Sequence, residues 1–261
     1  MAISDINRAI EVFARGVAFR RSRTYPCIAE PVGRFWVIRD AERKRADAYR
    51  REEWIIHGMP AAEVDAFVRK NTRGRFCICE IRRPDEDDTP IRAAYKAAGY
   101  RLGNTEPFMA HALKQIPKMP EPFPVGRVTT QHIANRLAAI TKKRPMSSDY
   151  FLADSPVRVY VALDGKEPIG WTWSIKAGKS TWVSDVYVKP QYRRRGIGKS
   201  MLVRMLGDDR AHGSKWSVLL ASHTGALLYP NVGYEQIGTL MLYTPRKEAG
   251  HSYKSPRRGD K

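Results

Sequence analysis

Basic and small residues occur together in the stretch from Lys189 to Leu202, which reads KPQYRRRGIGKSML. Arginine donates charge-assisted hydrogen bonds to phosphate oxygens, and glycine lets the backbone approach an anion without a Cβ in the way. A helix that begins in such a loop also presents unpaired backbone N–H groups. The segment therefore predicts a phosphate-binding loop, and the spacing of its residues decides which kind.

Two common phosphate-binding loops do not fit this spacing. A P-loop needs Gly-x-x-x-x-Gly-Lys-Ser/Thr, but Arg193 stands where its first glycine belongs. A Rossmann loop needs Gly-x-Gly-x-x-Gly, but Met201 stands at the third glycine. Arg193, Gly196 and Gly198 instead satisfy Arg/Gln-x-x-Gly-x-Gly/Ala between a strand and a helix. A basic surface turn before a core helix is the alternative interpretation.

The composition is that of an ordinary globular protein, with 261 residues, 43% hydrophobic and 28% charged. Its net charge of +19 attracts anions such as nucleic acid, an acidic protein surface or a phosphorylated cofactor. No apolar run reaches the roughly 18 residues of a membrane helix. Asp5 and Glu11 interrupt the N-terminal segment, so we expect an amphipathic helix there, a cytoplasmic protein and no membrane partner.

The cysteines and histidines do not predict a metal site. The three cysteines are an odd number, and Cys77 and Cys79 alternate within RFCICEI, which is typical of one buried face of a strand. The six histidines form no metal-binding pair with an acidic partner. We therefore expect core thiols and no bound metal.

Four prolines within Lys114–Val128 predict a connector that divides the chain. The predicted organisation is an N-terminal domain over 1–117, a linker over 118–128, a second domain over 129–245 and a basic tail over 246–261. Apolar periodicity in the second domain predicts a helix, three antiparallel strands, a helix, a strand, a short helix and a final strand.

The two halves end alike, which suggests an internal duplication. RFCICEI, IRAAYKAAGY and RLGNTEPFMAHAL in the first half parallel KWSVLLAS, GALLYPNVGY and EQIGTLMLYT in the second. The alignment of AAYKAAGY with LLYPNVGY places Tyr95 opposite Tyr229.

The segments DVYVKPQYRRRGIGKSML and LLYPNVGY, in this order and spacing, resemble the GNAT superfamily of acyl-CoA N-acetyltransferases over about residues 129–244. The resemblance implies an α/β (α+β) fold of tandem GNAT-like domains, each with a mixed, mostly antiparallel central sheet flanked by helices. It implies acetyl-CoA as co-substrate. The first half has no Arg-x-x-Gly-x-Gly, so it would be a degenerate copy with a structural role, or one that completes the substrate cleft.

In this family the strand before the loop diverges from its parallel neighbour and holds the pantetheine arm. The resemblance thus assigns the pantetheine to the backbone of Val186, Tyr187 and Val188, with an N–H near Val186 polarising the thioester carbonyl. The residues that would hold the pyrophosphate are Arg193, Arg194, Arg195, Gly196, Ile197, Gly198, Lys199 and Ser200.

The resemblance also suggests catalytic residues. Tyr229 matches the usual proton donor, while Asp185 is a candidate general base and His223 an alternative to it. The family often has an asparagine before the tyrosine, but SHTGALLY has none. Pro230 is unusual in a helix and suggests an early end.

Trp173 and Tyr150 occupy positions that the resemblance assigns to the acceptor cleft, whereas Trp171 is expected to pack in the core. The function implied is acetyl transfer to a primary amine of a small molecule, peptide or protein, by a monomer or homodimer. The charge of +19 keeps a nucleic-acid- or ribosome-associated binding protein as the alternative, and an acyl-CoA sensor without turnover as a third.

Overall fold

The computed structural model of the chain describes residues 5–44, 49–144 and 146–246, so the basic tail beyond Arg246 lies outside the described residues. The helices of this part are α1 Ile6–Ser22, α2 Ala61–Asn71, α3 Thr89–Ala97, α4 Gln131–Thr141 and α5 Ile197–Ala211. The strands are β1 Cys27–Val32, β2 Phe35–Asp40, β3 Glu52–Ile56, β4 Phe76–Arg82, β5 Tyr100–His111, β6 Val125–Arg127, β7 Val157–Asp164, β8 Glu167–Ala177, β9 Ser180–Val188, β10 Trp216–Leu220 and β11 Glu235–Pro245.

Local signals place most of these elements where the sequence predicts them. The Thr130 hydroxyl accepts a hydrogen bond from the Ile133 N–H and caps α4, as Thr and Ser commonly do. The predicted short helix before β11 is instead a pair of 3₁₀ turns, Gly225–Leu227 and Tyr229–Val232. Pro230 lacks an N–H group for a helical bond, and this explains the departure.

All the strands of the described chain form one mixed sheet, in the order β1-β2-β3-β4-β11-β5-β10-β9-β8-β7-β6. Each half contains two antiparallel pairings followed by one parallel pairing, β3 with β4 and β9 with β10. The order is therefore nearly symmetric about the β11–β5 pair. This symmetry agrees with the internal duplication, and the predicted class of mixed, mostly antiparallel sheets flanked by helices is confirmed.

The last strand of each half lies in the sheet of the other half. β11 pairs with β4, β5 pairs with β10, and the two exchanged strands pair with each other along most of their length. Neither half therefore completes its sheet alone. The predicted linker contains the edge strand β6, and the domain boundaries stay a prediction.

Helix α1 packs against the strands of both halves, β1 and β2 on one side and β8, β9 and β10 on the other. Its buried side chains include Ile10, Phe13 and Ala14. At Gly16 an added Cβ would lie 2.2 Å from the Cβ of Trp182, so only glycine lets α1 approach β9 so closely. The helix of the first half is thus built against the sheet of the second.

A buried ionic cluster fixes α5 against the opposite face of this sheet. The Asp209 carboxylate accepts hydrogen bonds from Arg158 Nη2 on β7 at 2.7 Å, from Ser174 Oγ on β8 at 2.7 Å and from Thr181 Oγ1 on β9 at 2.8 Å. Asp209 is fully buried. The cluster joins α5 to three strands and so holds the helix that follows the basic loop.

Asp209→Ala should lower the free energy of unfolding by about 3–5 kcal/mol, because it leaves Arg158 buried without its partner. Chemical unfolding monitored by circular dichroism would measure the change. Asp208→Ala is the control, since Asp208 forms a partly exposed i,i+4 pair with Arg204 and should cost less than about 1 kcal/mol. An equal loss of unfolding free energy in both variants would contradict the conclusion that the buried cluster stabilises the fold more than an exposed ion pair does.

The first half also holds a buried acid. Glu80 on β4 is fully buried and accepts a hydrogen bond from the Tyr95 hydroxyl at 2.9 Å, while its Oε1 has no partner among the described residues. Burial raises the pKa of Glu80 to about 7. The neighbouring thiols of Cys77 and Cys79 are free and buried, as expected.

The Glu80 carboxyl should make stability depend on pH. The native state keeps this proton to a higher pH than the unfolded chain, so its contribution is complete below pH 4.5 and is lost as the pH rises through about 7. The stability of Glu80→Gln relative to the parent should rise by up to roughly 3 kcal/mol between pH 4.5 and pH 8. Denaturant titrations at several pH values, with exposed Glu63→Gln as control, would test this; a pH-independent difference would contradict it.

Candidate cofactor and acceptor site

The parallel strands β9 and β10 pair only at their beginnings, where Ser180–Trp182 lies beside Trp216–Val218. β9 nevertheless continues along β8 as far as Val188. Among the described residues, the β10-facing edge of β9 from Val183 to Val188 therefore has no strand partner. Such an open edge is suited to bind an extended chain through backbone hydrogen bonds.

A β-bulge lies in the middle of this open edge. Trp173 is opposite Ser184 but Trp171 is opposite Tyr187, so β9 has one residue more than β8 here. Asp185 has φ of 53°, in the left-handed region. A bulge bends the strand and redirects its groups, so the backbone near Val186 is turned relative to regular pairing.

The basic loop leaves six consecutive backbone N–H groups free. Arg194 and Gly196 have φ of 64° and 81°, and this left-handed backbone leads into the first turn of α5. The N–H groups of residues 194–199 donate to no other described residue, and the first to do so is that of Ser200, to the Gly196 carbonyl at 3.0 Å. Converging N–H groups at a helix start are suited to hold phosphate oxygens.

Three cationic side chains of the loop have partners within the protein. Arg193 Nε donates to the Val188 carbonyl at 3.0 Å, and its guanidinium lies 5.7 Å over the Tyr187 ring. Lys199 Nζ donates to Asn231 Oδ1 at 3.1 Å. Arg195 lies over the ring of Tyr192.

Two of the predicted pyrophosphate residues face the protein. Ser200 is buried and its hydroxyl donates to the Ile197 carbonyl at 3.0 Å. Because its N–H group is also used, Ser200 offers no free donor, contrary to the sequence-based expectation. The Ile197 side chain is buried, so only its N–H group faces the loop.

Tyr229 lies beside the start of α5, on the α5 face of the sheet. It belongs to one apolar cluster with Leu202 and Leu219, and Val186 packs against this cluster. Burial raises the pKa of Tyr229 to about 12, and its hydroxyl has no hydrogen-bond partner among the described residues. The neighbouring Leu228 Cδ2 would lie 3.2 Å from a Cβ on Gly198, so this turn touches the loop. Tyr229 is thus protonated and has a free hydroxyl.

Asp185 is held by cations rather than free to accept a proton. Its Oδ2 lies 2.6 Å from Arg20 Nη1 of α1 and 3.2 Å from Lys143 Nζ. Burial alone would raise the pKa of Asp185, but Arg20 and then Lys143 outweigh burial and lower it. The lowered pKa makes the Asp185 carboxylate a weaker base. This geometry therefore favours a positioning role for Asp185 over the predicted role as general base.

His223 follows β10 and is exposed, with Nε2 3.1 Å from Thr105 Oγ1 on β5. The hydroxyl of Thr105 ties it to a strand of the first half, beside β10 rather than across the open edge of β9.

Glu106 on β5 is a second carboxyl group on the α1 face of the sheet. It lies opposite Leu240, which packs in the core around α1, and paired residues share a face. Burial and the charge of Glu53 raise the pKa of Glu106, while Asn104 and His223 lower it, and the net change is a rise. The sequence gives no signal for Glu106, because its neighbours in space come from β3 and from the turn after β10.

A pocket on the α1 face adjoins the bulge. Trp173 is buried, packs edge-on against Tyr150 at 6.4 Å and lies under the Arg23 guanidinium at 4.8 Å. The charged and aromatic residues that line the pocket are Arg23, Lys143, Arg144, Asp185, Trp171 and Trp173. Tyr150 packs against the Trp173 wall, and Trp171 stacks on Tyr187 at 4.5 Å. The predicted acceptor residues thus lie next to the bulge of β9.

The described residues of the first half form no comparable site. β3 pairs with β4 over its whole length, Glu52–Ile56, so the strands do not diverge. The loop after β3 is His57–Pro60, which leads into α2. It contains one glycine, Gly58, and no arginine. Tyr95, the counterpart of Tyr229, donates its hydroxyl to Glu80.

Other kinds of site find no support in the described residues. Within residues 5–44, 49–144 and 146–246, no group of three or more His, Cys, Asp or Glu side chains is placed to hold a metal ion. None of the helices of that part has the length and apolar character needed to cross a membrane.

Solved structures share this architecture across nearly the whole chain. A GCN5-related N-acetyltransferase from Kribbella flavida is 14% identical with a TM-score of 0.62, covering 95% of this chain and 98% of its own. A GCN5-related N-acetyltransferase-like protein from Streptococcus suis is 11% identical with a TM-score of 0.51, covering 92% and 99%. One from Sphaerobacter thermophilus is 18% identical with a TM-score of 0.52, covering 79% and 75%. At these identities the likeness shows the fold. A search of curated proteins found no match.

The fold is therefore that of the GCN5-related N-acetyltransferases. Residues 155–236 match the family model of the acetyltransferase (GNAT) domain. The first half has a GNAT-like fold, and its described residues include neither the basic loop nor the open edge. The recognition made from the two sequence segments is confirmed.

Proposed function

We propose that the chain is an acetyl-CoA-dependent N-acetyltransferase that acts on a primary amine. The observation that carries the proposal is the run of free N–H groups from Arg194 to Lys199 beside the open edge of β9. The first fits a pyrophosphate and the second an extended pantetheine arm. Acetyl-CoA, when bound, supplies the acetyl group as an activated thioester.

The residues around the open edge have complementary roles in this proposal. An N–H group at the bulge near Val186 would stabilise negative charge on the carbonyl oxygen during attack, as oxyanion-hole donors do. Tyr229 would donate its proton to the departing sulfur, since its hydroxyl is protonated and free, and would be reprotonated by the second proton that the nitrogen loses as the amide forms. Glu106 would accept the proton of the incoming ammonium, directly or through water, because its raised pKa makes it the better base than Asp185.

Calorimetric titration with acetyl-CoA, followed by assays of CoA release with a panel of amines, tests the function. We expect one site per chain, since the first half lacks the loop. Two sites would contradict that assignment. If a folded sample does not bind acetyl-CoA, the enzyme proposal fails. Binding to nucleic acid that weakens steeply with salt would then support the alternative suggested by the charge of +19.

Glu106→Gln should lower turnover by about 100-fold and remove the rise of the rate with pH that a single base produces. The pH dependence of kcat/KM would measure this. Asp185→Asn is the matched control: it should loosen Arg20 yet keep the pH-dependent rise. The opposite result would return the role of base to Asp185.

A further inference from the structure

The acceptor pocket beside Asp185 has more positive than negative charge. Arg23, Lys143 and Arg144 line it together with a single carboxylate, Asp185. That carboxylate is already neutralised by Lys143 and by Arg20 behind it. Arg23 and Arg144 form no ion pair with any carboxylate of the described residues. A simple ammonium ion would therefore be repelled here.

Arg23 is positioned to bind an anion. Its guanidinium is stacked on Trp173 at 4.8 Å, and its Nη2 donates to the Arg144 carbonyl at 2.9 Å. These contacts fix the plane of the guanidinium and leave other N–H groups free. A fixed arginine fork matches the two oxygens of a carboxylate or phosphate group. Partial burial lowers the pKa of Arg23, consistent with a desolvated cation.

Apart from Thr141, the rest of the pocket is apolar. Its floor and walls include Leu137, Met146, Trp171 and Trp173. A small amine that fits this surface needs an apolar part as well as an anionic group. The same cations would favour the neutral, reactive form of a bound amine, because nearby positive charge lowers the pKa of an ammonium group.

We propose that the acceptor is a small primary amine that carries a carboxylate or phosphate group, bound by Arg23 and Arg144, with its apolar part on the tryptophan surface of Trp171 and Trp173. That the bound amine is acetylated rests on the proposed N-acetyltransferase function. That Arg23 and Arg144 bind the anionic group concerns binding alone. The two claims are therefore separable by experiment.

Matched amines that differ only in the anionic group test the proposal. L-Phenylalanine is compared with 2-phenylethylamine for the carboxylate, and O-phosphoethanolamine with ethanolamine for the phosphate. The full-length protein is titrated with each amine while tryptophan fluorescence is recorded, and CoA release is then measured with acetyl-CoA present. At least one amine that carries an anionic group should bind 100-fold or more tightly than its partner without that group, and the pair that shows this identifies the anion.

Variants assign the effect to the arginines. Arg23→Gln and Arg144→Gln should each weaken binding of the preferred anionic amine 10-fold or more and should not weaken binding of its partner without the anionic group. In the CoA assay the loss should be in KM rather than kcat. Arg204→Gln is the control, since Arg204 lies partly exposed on α5 at the opposite face of the sheet. Arg23→Lys keeps the charge but not the fork and should recover only part of the affinity.

The outcomes separate the two claims. Arginine-dependent binding of anionic amines without CoA release supports the anion site and counts against the enzyme function. CoA release that is equally fast with and without the anionic group on the amine supports the enzyme and overturns the anion site. Failure of every amine with an anionic group to bind more tightly than its partner without that group also overturns the anion site.

Discussion

Gly196→Trp should lower the affinity for acetyl-CoA by roughly 100-fold or more, equivalent to about 2.7 kcal/mol. Gly196 has φ of 81° and lies within the run of free N–H groups at the start of α5. An indole at this position would occupy the space over those donors. The left-handed backbone would in addition cost a non-glycine residue about 1–2 kcal/mol. Calorimetric titration with acetyl-CoA measures the affinity.

Gly58→Trp provides a matched control in the other half. Gly58 has φ of 69°, follows the corresponding strand β3, and has no atom within 4 Å of an added Cβ. It should suffer similar backbone strain but leave the affinity for acetyl-CoA unchanged. An equal loss of affinity in both variants would show that strain and not occlusion is responsible. Unchanged affinity in folded Gly196→Trp would contradict the assignment of the loop.

Tyr229→Phe should lower kcat by roughly 100-fold or more while the affinity for acetyl-CoA stays within a few-fold. The substitution removes only the hydroxyl and keeps the ring, which packs edge-on against Tyr234 at 5.6 Å. The pKa of about 12 keeps the donor protonated, so any loss of activity between pH 7 and pH 10 should have another origin. Steady-state rates of CoA release and a parallel titration would separate kcat from binding.

Tyr95→Phe is the counterpart variant in the first half. The Tyr95 hydroxyl donates to Glu80, so its removal should cost about 1–3 kcal/mol of stability by leaving the buried carboxyl without a donor. It should not change kcat in the folded protein. Full activity of Tyr229→Phe, or a large kcat effect of Tyr95→Phe, would contradict the proposed division of roles between the halves.

Tyr229 and Tyr95, which the sequence alignment places opposite each other, lie in different environments. In the second half the tyrosine hydroxyl is free beside an open strand edge. In the first half it donates to a buried glutamate, beside strands that pair completely. The differences arise from a few residues, chiefly Glu80 on β4 and the short loop after β3 that lacks arginines. The first half is nevertheless needed, because it supplies β5 and α1 to the second.

Local patterns in the sequence were sufficient to predict most of the helices and strands of the second half and the loop before α5. Gly196, Gly198 and the arginines mark a strand-to-helix anion loop because the requirement for φ > 0 and for free N–H groups is local. Thr130 marks the start of α4 for the same reason. The assignments of the pantetheine and pyrophosphate residues stay predictions, and the structure removes Ser200 from the groups with a free donor.

The sequence by itself determined most of the strands and helices of the second half and its resemblance to the GNAT domain, and it predicts the anion loop, since all of these follow from periodicity, turns and short motifs. Only the tertiary structure decided the exchange of β5 and β11, the ion pair of Arg20 with Asp185, and the position of Glu106 and Arg23. These depend on contacts between residues far apart in the chain. Arg20, for example, also donates a hydrogen bond to Ser184, which lies 164 positions later. Strand periodicity specifies which face a side chain occupies but not which strand lies beside it.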